Sequence, residues 1–197
     1  MERFIVATKN AGKLKEIKEI LKQMPFEVVS MSEAGVVDDI QETGKTFEEN
    51  ALIKAKHVAE LTNGYVMADD SGLEVDYLNG APGVYSARFA GIKATDGENI
   101  NKLLGMLEGV PFEKRTARFV CCICVVAPLK ETFIVKAACE GFITFCPSGD
   151  KGFGYDPVFY VKEFGKTMAE LDLHEKNAIS HRGKALRLMA DYLEKWL

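Results

Sequence analysis

The sequence predicts an α/β fold with a mixed β-sheet flanked by helices, and three observations carry this prediction. The apolar run Phe4 to Ala7 precedes apolar residues at helical spacing, which is typical of a strand that leads into a helix. A second short run, Tyr65 to Ala68, ends directly in Asp69-Asp70-Ser71-Gly72. Two longer runs, Thr116 to Ala127 and Thr132 to Phe145, flank a short turn and therefore predict an antiparallel hairpin.

The remaining elements follow from the same patterns. Thr46 and Glu49 match a capping box, so a helix should begin there and run to about Leu61, before Asn63-Gly64. No internal repeat or linker divides the chain, and residues 1–197 should form a single domain. The other predicted elements are strands at Phe26–Met31 and Leu73–Leu78, and helices at Gly12–Met24, Glu98–Leu107 and Ser180–Trp196.

The composition is that of an ordinary globular protein, with 47% hydrophobic and 27% charged residues. A net charge of −4 argues against broad nucleic-acid binding, which usually requires a basic face. No uninterrupted apolar run reaches the roughly 18 residues of a membrane span, and the opening residues do not match a signal peptide. Three of the five cysteines, Cys121, Cys122 and Cys124, crowd into one predicted strand, where they are expected to be buried thiols in a reducing compartment. We expect a cytoplasmic protein.

The segment Thr8-Lys9-Asn10-Ala11-Gly12-Lys13 joins the first strand to the first helix. A helix N-terminus exposes unpaired N–H groups and partial positive charge, which favours a bound anion such as a polyphosphate. The segment is not a Walker A loop, because Ala7 and Leu14 stand where that motif needs Gly and Ser or Thr. An ordinary turn with solvated lysines remains the alternative.

The adjacent carboxylates of Asp69 and Asp70 are predicted to follow a strand directly. A carboxylate pair at the carboxyl end of a strand is well placed to meet a ligand, and Mg²⁺ prefers such hard oxygen donors. An acidic surface turn is the alternative for this motif. Glu42, ahead of the helix that begins at Thr46, could add a second carboxylate. In the helix that follows Thr46, the polar residues Asn50, Lys54 and His57 share one face, which usually faces solvent.

Two further motifs have features of a base-binding site. Gly152-Phe153-Gly154-Tyr155-Asp156-Pro157 combines glycines, which permit close backbone approach, with aromatic rings that can stack on a base. Lys176-Asn177-Ala178-Ile179-Ser180-His181-Arg182 contains donors that can reach purine O6 and N7. Considered separately, a packed turn and a capped helix start explain these motifs better than a binding function does.

Five blocks occur together and in order, from residue 8 to residue 186: TKNAGK, ETGKTFEENALIKAK, ADDSGLEVDYLNGAPGVYSARFAG, GFGYDPVF and EKNAISHRGKAL. In this arrangement the chain resembles the Ham1-like inosine triphosphate pyrophosphatase family. The resemblance implies an elongated mixed sheet, two lobes with a central substrate cleft, and a homodimer. It also implies hydrolysis of ITP, dITP and XTP to the monophosphate and pyrophosphate, with Mg²⁺ as cofactor, which cleanses the nucleotide pool.

The resemblance also implies a role for each site residue. Asp70 would accept the proton of the water that attacks the α-phosphorus, and Glu42 with Asp70 would hold the metal. Asp69 would at most support the metal through water, and neither Arg88 nor the group that excludes the guanine 2-amino function receives an assignment. The substrate would contact Thr8, Lys9, Asn10, Ala11, Gly12, Lys13, Lys54, Ser71, Phe153, Gly154, Tyr155, Asp156, Lys176, Ser180, His181 and Arg182.

Two other functions stay open from the sequence. The chain could be a pyrophosphatase with another preference, such as a modified pyrimidine, or a nucleotide-binding regulator without catalysis. The carboxylates of Asp69, Asp70 and Glu42 argue against the regulator, because binding alone needs neither a base nor a metal. The relative preference among ITP, dITP and XTP, the dimer interface and the use of other divalent ions do not follow from the sequence.

Overall fold

The computed structural model describes residues 2–196, except for the side chains of Glu2 and residues 194–196. It confirms the predicted fold class, a mixed seven-stranded sheet flanked by helices. Short 3-10 turns connect several of the elements. In chain order the strands and helices are β1 Glu2–Val6, α1 Ala11–Ile20, β2 Phe26–Ser30, α2 Phe47–Thr62, β3 Tyr65–Val75, α3 Asp96–Met106, β4 Thr116–Val126, β5 Phe133–Ile143, β6 Phe159–Val161, β7 Lys166–Thr167, α4 Leu173–Ile179 and α5 His181–Trp196.

The sheet has the strand order β2-β1-β3-β4-β5-β6-β7. Strand β1 is parallel to both of its neighbours, β2 and β3. The β5–β6 and β6–β7 pairs are antiparallel. Strand β1 ends opposite Met67, and β3 continues past it to Val75. Ligands of α/β proteins usually bind near the carboxyl end of a parallel strand such as β1.

The chain divides into two compact units. The first comprises Met1–Asp70, Cys121–Ala137 and Arg182–Leu197, and the second comprises Ser71–Val120 and Ala138–His181. The strands β3, β4 and β5 each contribute residues to both units. The expectation of a single domain over residues 1–197 stays a prediction.

The first unit has an apolar cluster on each face of its strands. Helices α1 and α5 pack with Phe4, Val6 and Met67 on one face. Helix α2 packs with Ile5, Val66 and Ala68 on the other. Adjacent residues of β1 and β3 thus project to opposite faces, as the pleat of a strand requires. The second unit has its own cluster, formed by α3 with residues of β3 to β6.

Strand β3 differs from the sequence prediction in one respect that matters for the site. We expected it to end at Ala68, with Asp69-Asp70-Ser71-Gly72 in a turn and a separate strand at Leu73–Leu78. It instead continues without a break to Val75, so both aspartates lie inside a strand. Polar residues are usually poor evidence for a strand interior, and here tertiary partners outweigh that preference.

The other differences are smaller. Strands β6 and β7 and helix α4 were not predicted, because they are too short to show a period. Helix α3 begins before the predicted Glu98, since Thr95 and Glu98 form a capping box. In α5 the predicted apolar stripe of Leu186, Met189 and Leu193 is buried, while its last member, Trp196, has a side chain outside the described residues. None of the helices in the described part of the chain combines the length and apolarity that a bilayer span requires.

The cysteines of β4 are buried free thiols, as predicted. Cys121 belongs to the cluster that contains α1 and α5, whereas Cys124 belongs to the cluster that contains α2. Burial raises the pKa of both thiols to about 12, which keeps them protonated. They therefore behave as small apolar residues.

Candidate active site

The turn between β1 and α1 lies beside β3. The Ala7 N–H donates to the Met67 carbonyl at 2.8 Å, which continues the β1–β3 pairing past the end of β1. Asn10 is the N-cap of α1, and its side chain accepts the Lys13 N–H at 3.0 Å. The Asn10 N–H in turn donates to the Thr8 hydroxyl at 3.2 Å. These bonds fix the turn at the start of α1.

The two lysines near the positive end of α1 both have carboxylate partners. The Lys13 ammonium lies 2.9 Å from Asp69, whose side chain is fully buried. Lys9 is exposed and lies 3.3 Å from Asp39. A cation at a helix N-terminus is unfavourable by itself, and these carboxylates offset that cost.

Asp69 and Asp70 point to opposite faces of β3. Asp69 shares its face with Met67 and meets cations of α1 and α5, Lys13 and Arg182. Asp70 shares its face with Ala68 and meets residues of α2. The acidic pair is thus not an exposed turn, and each carboxylate has its own set of partners. Support of a metal by Asp69 through water stays a prediction.

Asp70 lies in a buried polar cluster with Lys54 and Glu42. The Lys54 ammonium donates to Glu42 at 2.7 Å and to Asp70 at 3.0 Å, so one cation bridges two carboxylates. The side chains of Asp70 and Lys54 are about one-tenth exposed, at 9% and 10%, while Glu42 retains 28%. The cluster is therefore reachable from solvent mainly on the side of Glu42.

Asn50 completes this cluster, although the sequence had suggested that its helix face is solvated. Asn50 is fully buried, and its amide donates to Asp70 at 3.2 Å. Lys54, one turn further along α2, is buried as well. Only His57, which lies 2.8 Å from Asp38, is partly open on that face. The expectation of a solvent-facing stripe is wrong for Asn50 and Lys54, because the loop before α2 folds over them.

The pKa values of the two aspartates shift in opposite directions. Burial raises the pKa of Asp70, and repulsion by Glu42 contributes to the increase, while the ammonium groups of Lys54 and Lys13 partly counteract it. Burial also opposes ionisation of Asp69, but the attraction of Lys13 and Arg182 is stronger and holds the pKa of Asp69 below its usual range. Asp70 is consequently the better proton acceptor of the two. Since Lys13 contacts Asp69, the neighbour of Asp70 in β3, the positive end of α1 and the acidic centre are close together.

A divalent cation is compatible with the carboxylates in this cluster. Glu42 and Asp70 already converge on one cation, the Lys54 ammonium. Mg²⁺ typically uses one or two carboxylates and completes its shell with water and substrate phosphates. Within residues 2–196, no group of three or more His, Cys, Asp or Glu side chains is arranged to hold a metal. The donor set therefore suits an ion that is shared with a phosphate ligand better than one held by the protein alone.

Arg182 belongs to the first unit, as Asp69 and Asp70 do. It contacts Asp69, on the face of β3 opposite to Asp70. Its guanidinium is buried, pairs with Glu16 of α1 and lies 3.4 Å from Asp69. Glu16, Arg182, Asp69 and Lys13 thus form a buried chain of alternating charge. The predicted contact of Arg182 with a purine base stays a prediction, whereas its contact with Asp69 is direct.

The residues predicted for the base end lie in the second unit, except for Arg182, which belongs to the first. Asp156 accepts the Phe153 N–H at 2.9 Å and a Lys176 N–H at 2.6 Å, and both Asp156 and Lys176 are buried. The Lys176 ammonium also lies 4.7 Å from the centre of the Phe153 ring. The Gly154 N–H donates to Asp96 at 2.7 Å. Carboxylates thus hold two consecutive backbone N–H groups of the loop, those of Phe153 and Gly154.

Tyr155 and His181 make structural contacts within this unit. The Tyr155 hydroxyl donates to the Ser86 carbonyl at 2.9 Å, and burial raises the pKa of this phenol far above its usual range. His181 stacks on Phe119 with ring centres 4.8 Å apart. Ser180 is buried at the end of α4, and Ser71 is half-buried in β3. Their roles toward a substrate stay predictions.

Sequence reasoning missed two residues that organise these clusters, Glu16 and Asp96, and misjudged the exposure of a third, Asn50. Glu16 lies among the apolar positions of α1, and a charged residue on a buried helix face is a signal that could have identified it. Asp96 begins α3 and gave no local signal of its contact with Gly154, which is distant in sequence. Asn50 was noticed, but only the fold of the preceding loop shows that it is buried.

The fold and these clusters define the class of protein: an α/β protein that gathers cations and buried carboxylates beside the carboxyl end of β1. The chain belongs to the Ham1 family, whose profile matches residues 4–192. The predicted relationship to the Ham1-like pyrophosphatases is thereby confirmed.

Curated proteins and a solved structure support this relationship over the full length. The chain is 55% identical to a dITP/XTP pyrophosphatase of Caldanaerobacter subterraneus, covering 100% of this chain and 98% of that protein. It is 50% identical to a dITP/XTP pyrophosphatase of Bacillus cereus, covering 100% and 97% respectively. The structure of the Staphylococcus aureus Ham1 protein superimposes with a TM-score of 0.89 at 44% identity, covering 98% of this chain and 99% of that one.

Proposed function

We propose that this protein hydrolyses non-canonical purine nucleoside triphosphates, namely dITP, ITP and XTP, to the nucleoside monophosphate and pyrophosphate. The proposal is supported by its family and by full-length relatives that are named dITP/XTP pyrophosphatases at 50% and 55% identity. The structural observation that carries it is the bridge from Lys54 to Glu42 and Asp70, beside the positive end of α1. Such an arrangement offers a base, cations and a metal-binding carboxylate pair within one unit.

Asp70 is the proposed proton acceptor for the attacking water. Its carboxylate is buried and has a raised pKa, which makes it a stronger base than an exposed aspartate. Lys54 and Asn50 donate to it and hold it in one orientation. The proton of a water beside Asp70 would move to its carboxylate as the oxygen attacks the α-phosphorus and pyrophosphate leaves.

Nucleotide hydrolases of this family generally need a divalent metal, and we propose Mg²⁺, held by Glu42 and Asp70. When bound, the ion would lower the pKa of a water molecule and neutralise phosphate charge. Both carboxylates lie within 3.0 Å of the Lys54 ammonium, so they are positioned around one cationic group.

The triphosphate is proposed to bind at the start of α1. Lys13 is 14% exposed and Lys9 is exposed, so both ammonium groups can reach an anion from solvent. The N–H groups of Ala11 and Gly12 lie in the first turn of α1, where an anion is favoured. Lys54 can add a third ammonium group once a metal ion, in place of Lys54, neutralises Glu42 and Asp70. Charge stabilisation of this kind is the main requirement in phosphoryl transfer.

Base selection is proposed to depend on donors that face a 6-oxo group. Adenine carries an amino group at this position, so a buried donor would be left unpaired, which discriminates strongly. By resemblance, the candidates are Phe153, Gly154, Tyr155 and Asp156 with Lys176, Ser180, His181 and Arg182. The group that rejects the 2-amino function of guanine is not assigned.

The assembly and location of the protein are proposals as well. We propose a homodimer that works in the cytoplasm and forms no stable complex with nucleic acid. The net charge of −4 supports the last point, since phosphate-backbone binding depends on excess positive charge. Light scattering coupled to size-exclusion chromatography would measure the assembly, and a monomer at micromolar concentration would contradict the dimer.

One assay tests the proposed function. The purified protein is incubated with dITP, ITP, XTP, the four common nucleoside triphosphates and a set of modified pyrimidine triphosphates, with Mg²⁺ or with EDTA. Chromatography should identify IMP and pyrophosphate from ITP, only with Mg²⁺, and far slower turnover of ATP and GTP. Formation of IDP and phosphate would show that the bond between the β- and γ-phosphates is cleaved, which would contradict the proposed reaction. A preference for pyrimidine triphosphates would contradict the proposed substrate class. Tight binding without turnover would favour the regulator.

A further inference from the structure

Asn50 connects two parts of the candidate active site through one buried side chain. Its amide donates to Asp70 at 3.2 Å, and its carbonyl oxygen accepts the Gly44 N–H at 2.8 Å. The residue is fully buried in the first turns of α2. Gly44 belongs to the loop that also carries Glu42. One neutral amide therefore links the proposed base to the loop of the second proposed metal ligand.

The approach of this loop to Asn50 is unusually close. A Cβ atom at Gly44 would lie 2.7 Å from the side-chain oxygen Oδ1 of Asn50 and 2.9 Å from the Asn50 backbone nitrogen. A backbone atom cannot move away as a flexible side chain can, so only glycine fits at this position. The close approach fixes the path of the loop two residues after Glu42.

We propose that Asn50 is a positioning residue for the hydrolytic reaction: it sets the orientation of Asp70 and its spacing from the loop that carries Glu42. This inference rests on the proposed function. Asn50 acts through Asp70 and through Gly44, and it needs no contact with the substrate.

Lys54 cannot perform this task alone. Its ammonium bridges the same two carboxylates, but it is a cation and would compete with a second cation at Glu42 and Asp70. The Asn50 amide is neutral, so its bond to Asp70 can persist when the charge at the carboxylates changes. A fixed geometry is valuable here because a misplacement of about 1 Å can cost roughly a hundredfold in rate.

The chain contains a closely matched control, Asn99. Asn50 follows the N-cap Thr46 by four residues, and Asn99 follows the N-cap Thr95 by four. Asn99 is also buried, accepts the Ala90 N–H at 2.7 Å and donates to the Ala87 carbonyl at 3.3 Å. It thus makes the same two kinds of bond, but to a loop of the second unit and to no carboxylate.

The first experiment compares Asn50→Ala with Asn99→Ala. Both variants lose one buried amide, so both should lose similar stability in urea titrations. Asn50→Ala should lower kcat for dITP at least ~10-fold while KM changes less than ~3-fold, the pattern of an interaction that matters in the transition state. Asn99→Ala should retain wild-type kcat when assayed well below its melting temperature. Equal kcat values for the two variants would overturn the inference.

The second experiment separates the two bonds of Asn50. Asn50→Asp keeps an oxygen that can accept the Gly44 N–H, but it replaces the donor to Asp70 by a carboxylate oxygen. Hydrogen exchange measured by mass spectrometry should show the Gly44 segment protected in wild type and Asn50→Asp, and at least ~10-fold faster in Asn50→Ala. The kcat for dITP should nevertheless fall at least ~10-fold in both Asn50→Ala and Asn50→Asp. Full turnover by Asn50→Asp, or unchanged exchange in Asn50→Ala, would overturn the inference.

These readouts also distinguish the inference from the proposed function. If wild-type protein releases no pyrophosphate from any triphosphate, the proposed function fails, and the inference fails with it because no reaction is left to position. Wild-type turnover that Asn50→Ala and Asn50→Asp both retain would leave the function intact and overturn only the inference.

Discussion

The ammonium nitrogen of Lys13 lies 2.9 Å from a carboxylate oxygen of Asp69, and the two side chains differ in exposure, at 14% and 0%. The aspartate therefore anchors the lysine from inside the protein, while part of the ammonium group remains open to solvent. Such a pair lowers the entropy that Lys13 would lose on binding an anion, because its position is already fixed.

Replacing Lys13 should weaken triphosphate binding. We expect Lys13→Ala to raise KM for dITP by about 10-fold or more, since a charge-assisted contact to phosphate contributes roughly 1.5–3 kcal/mol. Lys15→Ala is the matched control, because Lys15 lies on the same helix and is exposed. Steady-state kinetics would test both variants, and unchanged KM and kcat for Lys13→Ala would remove Lys13 from the site.

Replacing Asp70 should abolish turnover while nucleotide binding is retained. Asp70→Asn keeps the size of the side chain but cannot accept a proton, so kcat should fall by about 10²–10⁴-fold, the usual contribution of a general base. Calorimetry with a non-hydrolysable dITP analogue would measure the retained binding. Asp191→Asn, in an exposed position of α5, should behave as wild type. Hydrolysis of dITP by Asp70→Asn at the normal rate would show that another group is the base.

Sequence reasoning predicted the fold and the main clusters because they depend on local patterns. The strand Phe4 to Ala7 and the helix after it have a clear local pattern, and the predicted N-cap Thr46 marks the start of α2, although the Glu49 side chain accepts the Lys45 N–H. The acidic pair was noticed because adjacent carboxylates require compensation. These features depend on residues that are neighbours in the sequence, and the structure confirms them.

The orientation of the acidic residues could not be predicted, because it depends on residues far apart in the chain. The partners of Asp69 come from α1 and α5, and those of Asp70 come from α2 and the loop before it. Without knowledge of those partners, the sequence Asp69-Asp70-Ser71-Gly72 favours a turn. The continuation of β3 through Asp70 therefore cannot be predicted from the sequence. Asn50 was misjudged for the same reason, since its exposure is decided by the position of Gly44.

The buried Arg182 should contribute strongly to stability. Arg182→Met removes a cation between Glu16 and Asp69, and breaking a buried ion pair typically costs about 3–5 kcal/mol. Arg187→Met, in an exposed position of the same helix, should change the free energy of unfolding by less than ~0.5 kcal/mol. Urea titrations at pH 7 would measure both, and equal stability of the two variants would contradict the buried network.

The effect of Arg182→Met should depend on pH in a defined direction. Arg182 helps to hold the pKa of Asp69 below its ordinary value of 3.8. A depressed pKa stabilises the folded state at pH values above 3.8, and this contribution is lost as the pH falls through the folded-state value. The stability difference between wild type and Arg182→Met should therefore narrow below about pH 4.

The base-end loop should tolerate an added methyl group at Gly154 better than at Gly152. Both glycines have a positive φ, at +60° and +77°, so a side chain at either position has a similar backbone cost. A Cβ at Gly152 would lie 2.1 Å from an Asp156 carboxylate oxygen, whereas no atom lies within 4 Å of one at Gly154.

That oxygen cannot move away easily, because it accepts bonds from Lys176 and from the Phe153 N–H. Gly152→Ala should consequently be less stable than Gly154→Ala by about 1–3 kcal/mol, the usual cost of overpacking. Urea titrations would measure this difference without any assumption about the substrate. Equal free energies of unfolding would mean that Asp156 can shift, and the loop would then be less rigid than its hydrogen bonds indicate.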